Sequence, residues 1–439
     1  MCFVDRRLTV GGSLRLWGSC LRLVSLTASV AISGFGQSTP RLDTTTFVVV
    51  GEGLAAGQAG PGLNETVQKS SFPALIAKQM GTAFAQPLLQ GPGMHEVLGF
   101  PSSAINAPGL SQGATRVQIK ATPTSDASPP LFILNVSVPN ARLSDALLRR
   151  PALPLLQEND RQQSIVNLIL GFPQLIVNND VPLWSQAEYA EAMFPTLALV
   201  ELGYYEALEA AVKQQPDLIP SAATFREGYS NIVKRLRALQ SQVIVTTIPD
   251  PTETGFFIRP QVAAQLTSAS QFVIQSGYGV GNNDLLTNTA LNEIGNHFVR
   301  RKIKPLGPTR ILRAAMADQI RARVRALNAE IQTVARENGA IVYDLAALFT
   351  RIRATGAVVD GRRITGEYFG GFYSLDGYYP GTAGHALIAN ELLGLINRTY
   401  GRNFPLVDAN AIARLDPVTR MAPPPVGRPF TAAELKVTE

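Results

Sequence analysis

Short, almost wholly apolar runs that alternate with longer amphipathic segments predict an α/β protein: a mainly parallel sheet covered by helices on both faces. Two observations carry this. The runs at 47–51 (FVVVG), 131–138 (LFILNVSV), 196–202 (TLALVEL), 242–248 (QVIVTTI) and 340–345 (AIVYDL) are nearly continuous in apolar residues. That is the pattern of strands buried on both faces. Between them, 70–80, 222–240, 311–338 and 383–399 place apolar residues at helical spacing. With 439 residues, 46% of them hydrophobic and 16% charged, the chain has enough apolar material for a large core.

The first 36 residues read differently. Arg6, Arg7, Arg15 and Arg22 precede LVSLTASVAISGFG. A charged start, an apolar middle and small residues at the end make an export signal, with an uncleaved anchor as the alternative. Cys2 and Cys20 are the only cysteines, and both lie in this segment. Its removal would leave a chain with no thiol and no disulfide, as suits a bacterial protein sent to the periplasm or outside the cell. The same segment accounts for half of the formal charge of +6. The other basic residues are dispersed, apart from short clusters such as Arg300–Lys304, and are expected on solvated faces. No nucleic-acid motif is present, and no nucleic-acid partner is expected.

After a linker at 37–46, one domain is expected over 47–400. Two stretches break the alternation, near 85–130 (rich in Gly, Pro and Ser) and 251–310, and read as insertions. Residues 401–439 read as a Pro-rich C-terminal extension.

Sites in parallel sheets sit at the carboxyl ends of the strands, so the residues just after each run bear on function. After the first stands VVVGEGLAAG, with Gly51, Glu52, Gly53 and Leu54. After the second stands VPNA, with Asn140. After the third stands LGYYEAL, with Gly203, Tyr205 and Glu206. Before the last helix stands SLDGYYPGTAGH, with Asp376, Tyr379 and His385. Four such blocks in this order resemble the GDSL, or SGNH, family of ester hydrolases over roughly residues 43–400. The resemblance implies a flavodoxin-like three-layer α/β/α sandwich with a mainly parallel five-stranded sheet.

It also implies roles. Gly53 stands where the family has its nucleophilic Ser, and Asn140 where it has the oxyanion-hole Gly. Tyr205 stands in place of the oxyanion-hole Asn, and Tyr379 in place of the general-base His. Asp376 is retained, and Glu206 replaces an Asp. All four named letters of the family are thus substituted, while their flanks are kept. Serine-type acyl transfer needs an oxygen nucleophile, a base and oxyanion donors. Gly53 supplies no oxygen, and a tyrosine with an ordinary pKa near ~10 is a poor base.

The expectation is therefore a catalytically degenerate protein that acts in binding or as a scaffold. The alternative is an active ester hydrolase, or an enzyme acting on glycans, using a group such as Glu52 or Glu206. Tyr205 and Tyr379 either fill the old pocket or line a slot for a small ester, lipid or glycan ligand. His385 is expected to pack in the last helix, His297 to lie near a helix end, and His95 to sit in the first insertion. GNND at 281–284 imitates the third block but comes too late, so Asn283 is read as a loop residue. No metal or cofactor is expected, and oligomeric state is left open.

Overall fold

The computed structural model describes residues 42–60, 62–90, 118–119, 131–171, 175, 183–416 and 419. The N-terminal segment expected to be an export signal, His95, most of the first insertion and the end of the C-terminal extension lie outside them.

The main sheet has four parallel strands, Phe47–Gly51, Leu197–Glu201, Gln242–Thr246 and Ile341–Tyr343, hydrogen-bonded in that order. The first two are buried along their whole length, so helices cover both faces. Helix Ala222–Ala238 packs against helix Ala314–Asn338, and helix Phe72–Met80 against the last long helix, Thr382–Tyr400.

The run at 131–138 departs from expectation. It forms a single parallel bridge, Val49 to Asn135, rather than a strand. It still lies along the free edge of the first strand. Val49 N–H donates to Leu134 O, Val136 N–H to Val49 O and Val138 N–H to Gly51 O. Gln186 clamps the two segments by donating to both Gly51 O and Val136 O at 2.8 Å. Where the ladder would continue, Val136 O accepts from the Gln186 side chain, while the Asn135 side chain accepts from Ser137 N–H on the far side of the segment. With this edge segment the chain order across the sheet is 2-1-3-4-5, the doubly wound flavodoxin-like arrangement. The order reverses at the first strand, at whose carboxyl end Gly51 pairs with Glu201.

The second insertion has its own architecture. Phe257–Ile258, Leu285–Thr287 and Ile311–Leu312 form a small antiparallel sheet. Helices Pro260–Leu266, Gln271–Tyr278 and Asn288–Val299 surround it, with Ile258, Ile274, Leu286 and Ile294 in a separate core. Because 311–312 are used in this sheet, the long helix starts at Ala314 rather than 311. At the other end, residues 409–415 form a helix, and Asp416 accepts from Thr382 Oγ1 and Ala383 N–H. It thereby caps the last long helix, whose own N-cap residue is Gly381.

Gly203 joins the second sheet strand to helix Tyr204–Lys213 with φ 104°, and a Cβ there would lie 2.6 Å from Ile248 Cδ1. Gly203→Ala therefore combines left-handed strain with overpacking and is expected to cost ~2–4 kcal/mol. The midpoint of urea unfolding measures it; an unchanged midpoint would show that the turn relaxes freely.

Candidate functional site

The turn after the first strand is built on carboxylates. Glu52 caps the short helix Gly53–Ala56, with one oxygen accepting from Leu54 N–H at 3.0 Å. Glu201, at the end of the neighbouring strand, accepts from Glu52 N–H at 3.3 Å and Ala55 N–H at 3.2 Å. These bonds orient Gly53 toward the segment that precedes the last helix.

That segment brings Tyr379 onto Gly53. A Cβ on Gly53 would lie 2.6 Å from the Tyr379 hydroxyl, 2.7 Å from Gln58 Oε1 and 2.8 Å from Tyr379 Cζ. The Tyr379 hydroxyl donates to the second Glu52 oxygen at 2.8 Å, and the tyrosine is 0% exposed. The room that a side chain at 53 would need is thus occupied by a phenol already bonded to Glu52. Asp376 does not touch that phenol. It accepts from Ser374 Oγ, Tyr378 N–H and Tyr379 N–H, and so holds the backbone of the turn.

The other singled-out residues lie around this pair. Asn140 is buried with φ 60°, a left-handed conformation that asparagine tolerates better than most residues. Glu206 accepts from Leu143 N–H at 2.7 Å and ties helix Tyr204–Lys213 to the segment after Asn140. Tyr205 is 8% exposed and lies beside Glu209, which pairs with Arg142 and Lys213. The ring against Tyr379 belongs instead to its neighbour, Tyr204, in edge contact at 5.9 Å between centroids. Tyr204 also donates to Tyr378 O at 2.8 Å.

Two members of this cluster, Tyr204 and Glu201, were not singled out from sequence. A glutamate inside the otherwise apolar run TLALVEL was the available signal for Glu201. For Tyr204, adjacent tyrosines at the start of one helix left open which of them faces inward.

The remaining candidates are elsewhere. His385 is buried in the last helix, accepts from Phe72 N–H at 3.3 Å and stacks on the Phe72 ring. His297 stacks on Tyr278 in the second insertion. Asn283 is an exposed turn residue there, and its neighbour Asp284 binds Arg313 and Ala314 N–H. No group of three or more His, Cys, Asp or Glu among the described residues is arranged to hold a metal ion.

Electrostatics follow from burial. Glu52, Glu201 and Glu206 are all buried and close enough to repel one another. Loss of solvation pushes the Glu52 and Glu206 carboxyls up to about 7, Asp376 up to about 6, and Glu201 well above the usual carboxylate range. Tyr379 is pushed well above its ordinary value by burial and by Glu52, so it remains a phenol and donates. His385 is lowered to about 3 by burial alone.

The signs oppose each other. A raised carboxyl makes the folded chain hold more protons than the unfolded one. Its stabilisation is complete below about 4.5 and is lost as pH rises toward 7. The histidine's contribution is lost as pH falls below 6.5 toward 3. Between 4.5 and 6.5 several carboxyls act against one imidazole. Stability to urea is therefore expected to be higher at mildly acidic pH than at alkaline pH. Glu52→Gln keeps an oxygen to accept from Leu54 N–H and turns an Nε2 donor toward the Tyr379 oxygen, and it should shrink that difference by on the order of 2 kcal/mol. An unaltered pH profile in this variant would refute the assignment.

Comparison with known proteins adds little to this geometry. No family model matches the chain, and no curated protein matches it. Among solved structures, TesA aligns with a TM-score of 0.32 and 11% identity, covering 81% of this chain and 99% of its own. Phospholipase A1 from Streptomyces albidoflavus NA297 aligns at 0.34 and 12%, covering 81% of this chain and 100% of its own. An extracellular lipase from Streptomyces rimosus aligns at 0.31 and 12%, covering 81% and 99%. Scores and identities this low carry nothing about activity, and the α/β fold with its parallel sheet stands on the strand order of the chain itself.

Proposed function

We propose that this is an exported, non-hydrolytic protein on an ester-hydrolase-like framework, acting as a binding or scaffold protein through its surface. One observation carries the reading: the Tyr379 hydroxyl, bonded to Glu52, fills the space next to Gly53. Covalent acyl transfer needs an oxygen nucleophile with a base beside it. Here position 53 has no side chain, and the group standing nearest it is a buried phenol held neutral by its surroundings. Loss of triad members in well-studied serine hydrolases lowers the rate by on the order of a million-fold. The competing reading, hydrolysis by Glu52, has a carboxyl raised toward neutrality in its favour. Against it, Glu52 is fully enclosed and both its oxygens are engaged, by Leu54 N–H and Tyr379. Export rests on the N-terminal charge and hydropathy pattern alone.

Incubation with short-chain chromogenic esters and a fluorophosphonate probe is expected to give neither turnover nor stoichiometric labelling. Turnover that disappears in Glu52→Gln would overturn the proposal in favour of the glutamate enzyme.

Packing supplies a second check. Gly53→Ser alone is expected to destabilise by ~1–3 kcal/mol, because its Cβ meets the Tyr379 ring. In a Tyr379→His background most of that cost should vanish, giving a coupling of at least ~1 kcal/mol in a double-mutant cycle. Additive costs would mean that Gly53 and Tyr379 are not a matched pair.

A further inference from the structure

We propose that the tip of the second insertion, residues 299–304, is a docking surface for an anionic lipid bilayer. Helix Asn288–Val299 ends there, and the chain reverses through Arg301 at φ 50°. Arg301 N–H donates to Phe298 O and Lys302 N–H to His297 O, so the turn is well defined. Residues 300–304 are all exposed, and they carry four cations: Arg300, Arg301, Lys302 and Lys304. None of the four forms an ion pair among the described residues. Glu293 pairs with Arg310, and Asp284 with Arg313.

Apolar side chains stand beside this charge. Val299 is 85% exposed and Ile303 47%. Ile303 lies against Gly277 of helix Gln271–Tyr278. Cations alone would suit any polyanion. Unpaired cations next to the solvent-facing aliphatic side chains of Val299 and Ile303 fit a boundary where phosphate headgroups meet hydrocarbon. Attachment would be peripheral, since no helix among the described residues is long and apolar enough to cross a membrane. The inference does not depend on whether the site beside Gly53 is active.

Flotation of the full chain with vesicles tests it. Binding is expected to phosphatidylglycerol–phosphatidylcholine vesicles and to be much weaker to pure phosphatidylcholine. Each basic residue near an anionic surface contributes about five-fold in partitioning, so Arg300→Ser, Arg301→Ser, Lys302→Ser and Lys304→Ser together should reduce it by ~100-fold or more. Val299→Ser with Ile303→Ser should reduce it by ~10-fold or more while leaving the charge intact. All six positions are exposed, and the thermal midpoints of the variants should match the parent. Partitioning that ignores vesicle charge, or that survives the four-site change, would overturn the proposal. So would loss on removing the cations but none on removing Val299 and Ile303, together with equal binding to single-stranded DNA; that pattern would mark a general polyanion surface.

Discussion

The hydrogen bond from Tyr379 to Glu52 is the constraint around which the carboxyl end of the sheet is arranged. Glu52 is fixed by the first strand and by the short helix it caps, and Tyr379 by the turn that Asp376 holds together. Residues more than three hundred positions apart thus meet at one buried contact. Once they meet, position 53 has room only for hydrogen. Tyr204 packs edge-to-face with Tyr379 and donates to the backbone at Tyr378, so two tyrosines hold the turn against the sheet.

The cost of this arrangement is electrostatic. Three glutamates are buried near one another and form no ion pair among the described residues, whereas Glu209 is served by both Arg142 and Lys213. Ionising such a cluster in a low-dielectric interior costs several kcal/mol per unpaired charge, so it retains protons instead. A neutral carboxyl still accepts a phenol hydrogen bond and a backbone N–H, so the cluster keeps its structural use while its charge is suppressed. The same physics makes this region sensitive to pH in a way that the aliphatic core is not.

The second insertion has its own small sheet and apolar core, and its exposed tip combines charge with apolar side chains. Phe257, Leu285 and Leu312 of that small sheet also pack into the main core, and Phe256 N–H donates to Gly377 O of the turn before the last helix. The first two parallel strands are buried on both faces and paired along their whole length.

Much of this was legible in the sequence. Continuous apolar runs marked the four regular strands, because a strand covered on both faces cannot alternate polar residues. Helical spacing marked the principal helices, with ends misplaced by a few residues where a turn or a small sheet intervened, as at 311–313. Order along the chain also pointed to Gly53 and Tyr379 as positions of interest. The sequence could not say that the run at 131–138 would make a single bridge, since the Gln186 side chain that takes Val136 O comes from a segment fifty residues on. Nor could it say which of Tyr204 and Tyr205 turns inward, or that Glu201 joins the carboxyl cluster. Local pattern reports the period of a segment and the polarity of its faces. Which side chain meets which across the sheet is set by register and by the crossing of distant segments, and only the packed chain decides that.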